Sequence, residues 1–226
     1  MAPKHQHMTY NDVHHLIRDS AERIKEFRPD MLIAIGESYR MRDCLVFVAH
    51  GLHLCCSGFF PARVLRTFLK DADTKRNIPI HAIGLSLYES LPGTTAEQIG
   101  NEVIRTQWLG PESGKILLGR RALIVDEVDD SRKTLQYAVT ELQKDIEREL
   151  LALPEAEREA KRTRFAVFVV HNKLKPKVGS LPTDIPYYPG AETADVWLDY
   201  PWEAVDIDEH DRLAAEEREQ EKQQAA

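Results

Sequence analysis

Cysteine is scarce in this chain of 226 residues: Cys44, Cys55 and Cys56 are the only three, all within one short stretch. That clustering excludes a disulfide framework, and two adjacent thiols lack the C-x-x-C spacing of a zinc site even with His50 and His53 nearby. No apolar run approaches the roughly 20 residues that cross a bilayer, so no membrane partner is expected. The first residues, "MAPKHQHMTYNDVHHL", carry neither the apolar core of a secretory signal nor an Arg-rich amphipathic pattern, and the expected location is cytoplasmic. Positive charge is also short. With 30 Lys and Arg against 37 Asp and Glu the net charge is -7, which disfavours nucleic acid and points to small-molecule or protein partners.

What is present reads as one sizeable soluble domain, 42% hydrophobic and 30% charged. Thr9 and Asp12 resemble a capping box, after which Val13, Leu16, Ile17, Ile24 and Phe27 recur at helical spacing until Pro29. "MLIAIG" reads as a buried strand ending in Gly36, and "PARVLRTFLK" as a helix entered through Pro61. "IHAIGLSLY" is a second strand, and the Gly, Pro and Thr-rich "ESLPGTTAEQIG" after it is a candidate mobile lid. "ALIVD" is the next strand. A helix then begins at Thr134, with Leu135, Val139, Leu142, Ile146 and Leu150 on one face until Pro154. "FAVFVV" and "DVWL" are further strands, and "RLAAEEREQEKQQAA" is a solvated helix or frayed tail with no assigned function. Strands alternating with helices imply an α/β fold with a mostly parallel sheet, which binds ligands at the carboxyl ends of its strands.

At one such end stands "DEVDDSRKT", with Asp126, Glu127, Asp129 and Asp130 close enough to repel one another. Three readings compete. An exposed turn at a helix N-terminus gains about 0.3 to 1 kcal/mol per charge, enough for one or two acids but a strained account of four. A Walker B strand needs a P-loop, and "GPESGKI" from Gly110 is one residue short and has Ile116 in place of the hydroxyl residue. The third reading uses the whole run: Asp126 and Glu127 meet a sugar diol or a divalent cation, while the helix N-terminus with Ser131 and Thr134 cradles a phosphate.

The run resembles the phosphoribosyl pyrophosphate signature of type I phosphoribosyltransferases. Together with "IPIHAIGLSLYE", "NEVIRTQWL", "VFVVHNKLKPK" and "WLDYPWEAVDIDEH", in that order, it is similar to the fungal xanthine and hypoxanthine-guanine enzymes, nearer to the xanthine type. The resemblance implies transfer of ribose 5-phosphate from phosphoribosyl pyrophosphate to an oxopurine with Mg2+, xanthine favoured, by a homodimer. It implies the type I phosphoribosyltransferase fold with a small C-terminal hood: a core over 1-170, a purine-binding hood over 171-208 and a charged tail over 209-226. It implies that Asp126 and Glu127 hold the ribose hydroxyls or magnesium and that Asp130 is the acid/base group beside purine N7. Ser131, Arg132, Lys133 and Thr134 would enclose the 5-phosphate, with Arg132 replacing the usual glycine. Lys173 would donate to the purine 6-oxo group, Lys175 being the weaker candidate. Trp197 would stack on the base, or lie in the core; Leu198 would offer backbone groups, and Asp199 or Glu203 would stand near a second magnesium. Trp108 and Trp202 are expected in the core.

One departure cuts into the pattern. The pyrophosphate loop should run within a few glycine-rich residues from Gly36 to Gly58, yet residues 37-57, "ESYRMRDCLVFVAHGLHLCCS", intervene. They are either a genuine insertion or retained intron sequence, since Gly36-Glu37-Ser38 can be encoded through GGTGAGT and Cys56-Ser57-Gly58 through TTCAGG. A translated insertion predicts poor turnover. It leaves room for a rival reading, a nucleotide sensor that keeps only the ribose-phosphate site.

Overall fold

The computed structural model of the chain describes residues 4-37, 57-71, 73-88, 102-110 and 112-225. The candidate lid at 89-100 and the three cysteines lie outside the described residues, as does all but the edge of the 37-57 segment.

Three apolar runs become the centre of the sheet because each is buried on both faces. They are β2 (Met31–Glu37), β5 (Arg121–Asp129) and β6 (Arg164–Lys173). Successive side chains alternate between two cores, as a period of two requires. Leu32, Ala34, Leu123, Val125, Ala166 and Phe168 fill one; Ile33, Ile35, Ala122, Ile124, Val167 and Val169 fill the other. The first core is closed by α1 (Tyr10–Phe27), through Val13, Ile17, Ala21 and Ile24, and by α2 (Phe59–Phe68), through Ala62 and Leu65. The second is closed by α4 (Lys133–Leu151) through Leu135, Ala138, Val139, Leu142, Ile146 and Leu150.

With β3 (Ile80–Tyr88), β4 (Glu102–Gln107) and β7 (Tyr187–Thr193) the six strands run in the order β4-β3-β2-β5-β6-β7. All neighbours are parallel except β3 and β4. A second, two-stranded parallel sheet joins β1 (His5–His7) to β8 (Trp197–Asp199). The short helices α3 (Ser113–Leu117) and α5 (Glu155–Arg158) and the terminal α6 (Ile207–Ala225) complete the elements.

The capping box is made in full: Thr9 Oγ1 accepts from Asp12 N–H and Asp12 Oδ2 from Thr9 N–H, while Arg28 ends α1 in the left-handed region. α2 begins two residues before Pro61, which still sits in the first turn where its missing N–H costs nothing. α4 begins at Lys133 rather than Thr134. β5 continues through Glu127 to Asp129, so three of the four acids belong to a strand. β6 likewise reaches Lys173. "GPESGKI" contributes α3, packed on α4, and no phosphate loop. Trp108 is half-buried, its indole N–H donating to Asp145 Oδ2 at 2.7 Å beneath Arg105. The charged tail is helical and docks rather than fraying: His210 and Ala214 of α6 are buried, and Glu217 bonds to β1.

Candidate active site

β5 delivers the acid run to the carboxyl end of the sheet, and the fold divides it. Asp126, Glu127 and Asp129 are buried at 4%, 7% and 1% exposure, which rules out the exposed-turn reading for them. Buried carboxylates need partners. Asp126 Oδ1 accepts from the Glu127 N–H at 2.9 Å, and Glu127 Oε2 accepts from Trp202 Nε1 at 3.0 Å. Asp129 Oδ2 takes two bonds from Arg132, at 2.9 and 2.7 Å, and one from the Tyr187 hydroxyl at 2.8 Å. Lys177 Nζ lies 3.6 Å from Asp129 Oδ1 and donates to the carbonyls of Asp129 and Asp130 at 2.6 and 2.9 Å.

Asp130 differs, with nearly half of its side chain exposed. Lys175 Nζ stands 2.5 Å from its Oδ1 and Lys173 Nζ 3.3 Å from its Oδ2. Burial alone would raise this carboxyl; the Lys175 bond and the charges of Lys173 and Lys175 outweigh it and hold the group below its ordinary range. Asp130 is therefore a carboxylate at neutral pH. Both lysines also approach Asp195, at 3.8 and 3.0 Å.

Ser131 and Arg132 turn the chain into α4. Arg132 sits at φ 67°, a left-handed conformation that costs a non-glycine residue roughly 1 to 2 kcal/mol. This explains why glycine is usual here. Arginine is retained because its guanidinium is anchored to Asp129 and lies 4.8 Å from the Tyr187 ring centroid. The side chain is thus a brace directed at Asp129. Arg132, at the N-cap of α4, makes no side-chain cap bond, and Lys133 N–H approaches Ser131 Oγ at 3.5 Å, so the first turn of α4 begins three residues after Asp130. The loop after β6 folds onto this turn. Val178 and Gly179 donate to the Ser131 carbonyl at 3.1 and 3.0 Å, and a Cβ at Gly179 would come within 2.5 Å of the Arg132 carbonyl oxygen.

Gly36 is buried in β2 opposite Gly84. Gly58 N–H donates to the Ile35 carbonyl at 2.7 Å, and a Cβ there would meet the Val125 carbonyl oxygen at 2.3 Å. Packing alone therefore demands glycine at 58. The Ser57 hydroxyl donates to the same Ile35 carbonyl at 3.1 Å, so the chain returns from the 37-57 segment to the place it left.

The segment from 197 to 203 lies against the end of β5. Trp197 is 53% exposed and free of the core, and its backbone N–H donates to the Lys4 carbonyl. Met8 N–H donates to the Asp199 carbonyl. Parallel pairing alternates along a strand, so the backbone N–H and C=O of Leu198 point to the opposite edge of β8 while its side chain enters the core. Asp199 Oδ2 is 2.7 Å from His5 Nδ1, and Glu203 is exposed.

Trp202 departs from the core reading. It is half-buried, stacked between Tyr200 at 4.7 Å and Phe60 at 5.4 Å, with its N–H on Glu127. The Tyr200 hydroxyl donates to the Glu127 carbonyl at 3.2 Å and lies 2.8 Å from His171 Nδ1. Burial pushes the His171 imidazole down to about 4, so it is neutral. Two residues that contact the acid run, Trp202 and Lys177, are not singled out for it by the sequence. For Lys177 a signal exists in the cluster Lys173, Lys175 and Lys177: the first ends β6, the other two lie in the loop after it, and all three reach Asp129 or Asp130.

Among the described residues no three His, Cys, Asp or Glu side chains converge as a ready-made metal cage. Magnesium asks for less, one or two carboxylates with water and substrate oxygens supplying the rest. Asp126 and Glu127, two buried carboxylates at the carboxyl end of β5, are of the oxygen-donor type that set requires. Asp199 is engaged by His5.

No family model matches the chain. It is 47% identical to a hypoxanthine-guanine phosphoribosyltransferase of Schizosaccharomyces pombe over 95% of its own length and 97% of that protein's. It is 43% identical to xanthine phosphoribosyltransferase 1 of Saccharomyces cerevisiae over 92% and 94%. Among solved structures, a hypothetical protein from Neisseria gonorrhoeae with bound ppGpp shares 35% identity at a TM-score of 0.70, covering 95% of this chain and 98% of that one. The purine phosphoribosyltransferase of Pyrococcus horikoshii shares the fold at a TM-score of 0.55 and 21% identity, over 90% and 97% of the two chains.

Proposed function

The chain belongs to the family of hypoxanthine-guanine and xanthine phosphoribosyltransferases, and from that premise we infer how its site works. It is a purine salvage enzyme that transfers a 5-phosphoribosyl group from phosphoribosyl pyrophosphate to a purine base, giving the nucleoside monophosphate and pyrophosphate. The observation that carries the residue assignments is the division within the acid run. Asp129 is consumed by Arg132, Tyr187 and Lys177 and is fully buried, whereas Asp130, paired with Lys173 and Lys175, keeps nearly half of its side chain exposed at the start of α4.

In this reading the first-turn amides of α4, with the hydroxyls of Ser131 and Thr134 and the Lys133 ammonium, receive the 5-phosphate, for which a helix N-terminus is well suited. Arg132 supplies backbone and rigidity rather than a guanidinium contact. Asp126 and Glu127 hold the ribose hydroxyls, and they are the residues that would hold Mg2+. When bound, that ion neutralises charge on the departing pyrophosphate. Gly36 and Gly58 flank the pyrophosphate side.

Glycosidic transfer passes through an oxocarbenium-like state, so nearby carboxylates favour it electrostatically. As purine N9 bonds to C1′, the base must lose a proton, and a carboxylate Asp130 beside N7 is in the protonation state to accept it. Lys173 donates to the 6-oxo group, which selects oxopurines because adenine presents an amine there. Trp197 stacks on the base, and the outward backbone groups of Leu198 read its 2-position. Asp199 and Glu203 remain the candidates for a second magnesium, Asp199 only by exchanging its His5 contact. Residues 171-208 form the purine-binding hood over the 1-170 core, with 209-226 as an appended charged helix, and the enzyme works as a cytoplasmic homodimer. The xanthine preference is retained as a proposal. Identities of 47% to a hypoxanthine-guanine enzyme and 43% to a xanthine enzyme do not favour it.

The test is to mix the full chain with phosphoribosyl pyrophosphate, Mg2+ and each purine in turn and to follow pyrophosphate release. Release with xanthine, hypoxanthine or guanine but not adenine is expected. Binding with no nucleotide formed from any purine would overturn the enzymatic reading.

A further inference from the structure

Trp197 and Asp199 sit on a strand that is not part of the central sheet. The strand partner of β8 is β1, from the other end of the chain, in the register His5–Trp197, Gln6–Leu198 and His7–Asp199. We propose that His5 and His7 are positioning residues of the purine pocket, holding β8 so that the Trp197 ring keeps one orientation toward the base. The inference rests on Trp197 being the stacking ring and on Asp199 keeping its His5 contact, which leaves Glu203 as the candidate for a second magnesium.

Strand positions two apart share a face, so both imidazoles meet the same carboxylate. His5 Nδ1 is 2.7 Å from Asp199 Oδ2, and His7 Nε2 is 3.9 Å from that same oxygen. The other side of His7 is tied to α6: Nδ1 lies 2.7 Å from Glu217 Oε1, and its backbone N–H donates to Glu217 Oε2 at 2.8 Å. His7 therefore separates Asp199 from Glu217, two carboxylates of like charge. His210 packs edge-on against His7 at 5.1 Å, and its Nε2 donates to the Met8 carbonyl at 2.9 Å. The chain of support runs from α6 through β1 to β8 and ends at Trp197, whose ring centroid is 6.3 Å from that of His5.

A pair of three-residue strands has too few backbone bonds to hold a half-exposed indole still, since even longer two-stranded units are marginal alone. The side-chain contacts supply the missing constraint. They also give "HQH", which reads as polar N-terminal sequence, a place in base recognition.

Steady-state kinetics on the full chain with Mg2+ test the proposal, with purine and phosphoribosyl pyrophosphate varied separately. His5→Ala is expected to raise KM for the purine about fivefold and leave KM for phosphoribosyl pyrophosphate unchanged, the size of one lost hydrogen bond to a charged group near the surface. His5→Gln, which still reaches Asp199, is expected to recover most of the loss. Trp197→Ala separates the two layers of the argument. If it raises the purine KM while His5→Ala and His7→Ala do not, the positioning role is overturned. If Trp197→Ala itself leaves that KM unchanged, the stacking assignment fails and the inference falls with it. A drop in kcat with neither KM altered in His5→Ala would mark a merely structural contact and equally overturn it. His5 is exposed enough that its variants should fold even where His7→Ala does not.

Discussion

Replacing Trp202 with phenylalanine removes one hydrogen-bond donor and little else. The ring remains between Tyr200 at 4.7 Å and Phe60 at 5.4 Å, so the aromatic stack survives, while the 3.0 Å bond from Nε1 to Glu127 Oε2 is lost. A hydrogen bond to a charged group contributes about 1.5 to 3 kcal/mol, and because Trp202 is only half-buried the lower figure applies. At about 1.4 kcal/mol per decade this is roughly a tenfold change. It should fall on phosphoribosyl pyrophosphate, the substrate that Glu127 is proposed to hold. The expected result is a kcat/KM for phosphoribosyl pyrophosphate about tenfold below that of the unaltered chain, with KM for the purine unchanged. The assay varies phosphoribosyl pyrophosphate at saturating purine, then the reverse. Trp202→Leu, which loses both stack and donor, should be worse and should also lower the melting temperature. A Trp202→Phe enzyme with kcat/KM for phosphoribosyl pyrophosphate within a factor of about two of the original would refute the reasoning, because a bond of that energy cannot vanish unnoticed.

Lys175→Met should move the acid limb of the pH–rate profile to higher pH. Asp130 is depressed chiefly by the Lys175 bond acting against burial, so its reactive carboxylate persists as pH falls until its lowered value is crossed; without Lys175 that crossing comes earlier. An acid limb that stays in place would show that another group governs it. Arg132→Ala should destabilise the fold by about 3 kcal/mol in a urea titration, as expected when a buried carboxylate loses its guanidinium, while Tyr187 and Lys177 keep the loss from growing further. A change under about 1 kcal/mol would refute the brace, because alanine keeps the Cβ and with it the φ strain at 132, so no relief could mask the lost pair. Excising residues 38-56 should leave the melting temperature nearly unchanged and raise turnover, because the flanks already meet at the Ile35 carbonyl. A collapsed melting transition would contradict this.

The sequence is legible where burial is symmetrical. "MLIAIG", "ALIVD" and "FAVFVV" are apolar because both faces of the inner strands are covered, and α1 and α4 show the spacing of helices covered on one side. Edge elements carry no such mark. β7 contains Pro189 and Gly190, which an edge strand tolerates and which read as a turn, and β1 is three polar residues whose partner lies near the far end of the chain. The acids mislead for a related reason. Their burial depends on Trp202, Tyr187 and Lys177, all more than forty residues away in sequence. A run of four acids announces charge, and only the fold reveals which of them are spent on structure and which one remains exposed.

The lysines at 173, 175 and 177 add a constraint of frame. Leu174 and Pro176 between them are exposed, while Lys173 and Lys175 both address Asp130 and Asp195, and Lys177 addresses Asp129. A single residue inserted or deleted between 173 and 177 would shift Lys177 away from the Asp129 and Asp130 carbonyls to which it donates. Variation in chain length is thus admissible between Glu37 and Ser57 and inadmissible here. A one-residue indel in "KLKPK" should cost more than any single substitution within it.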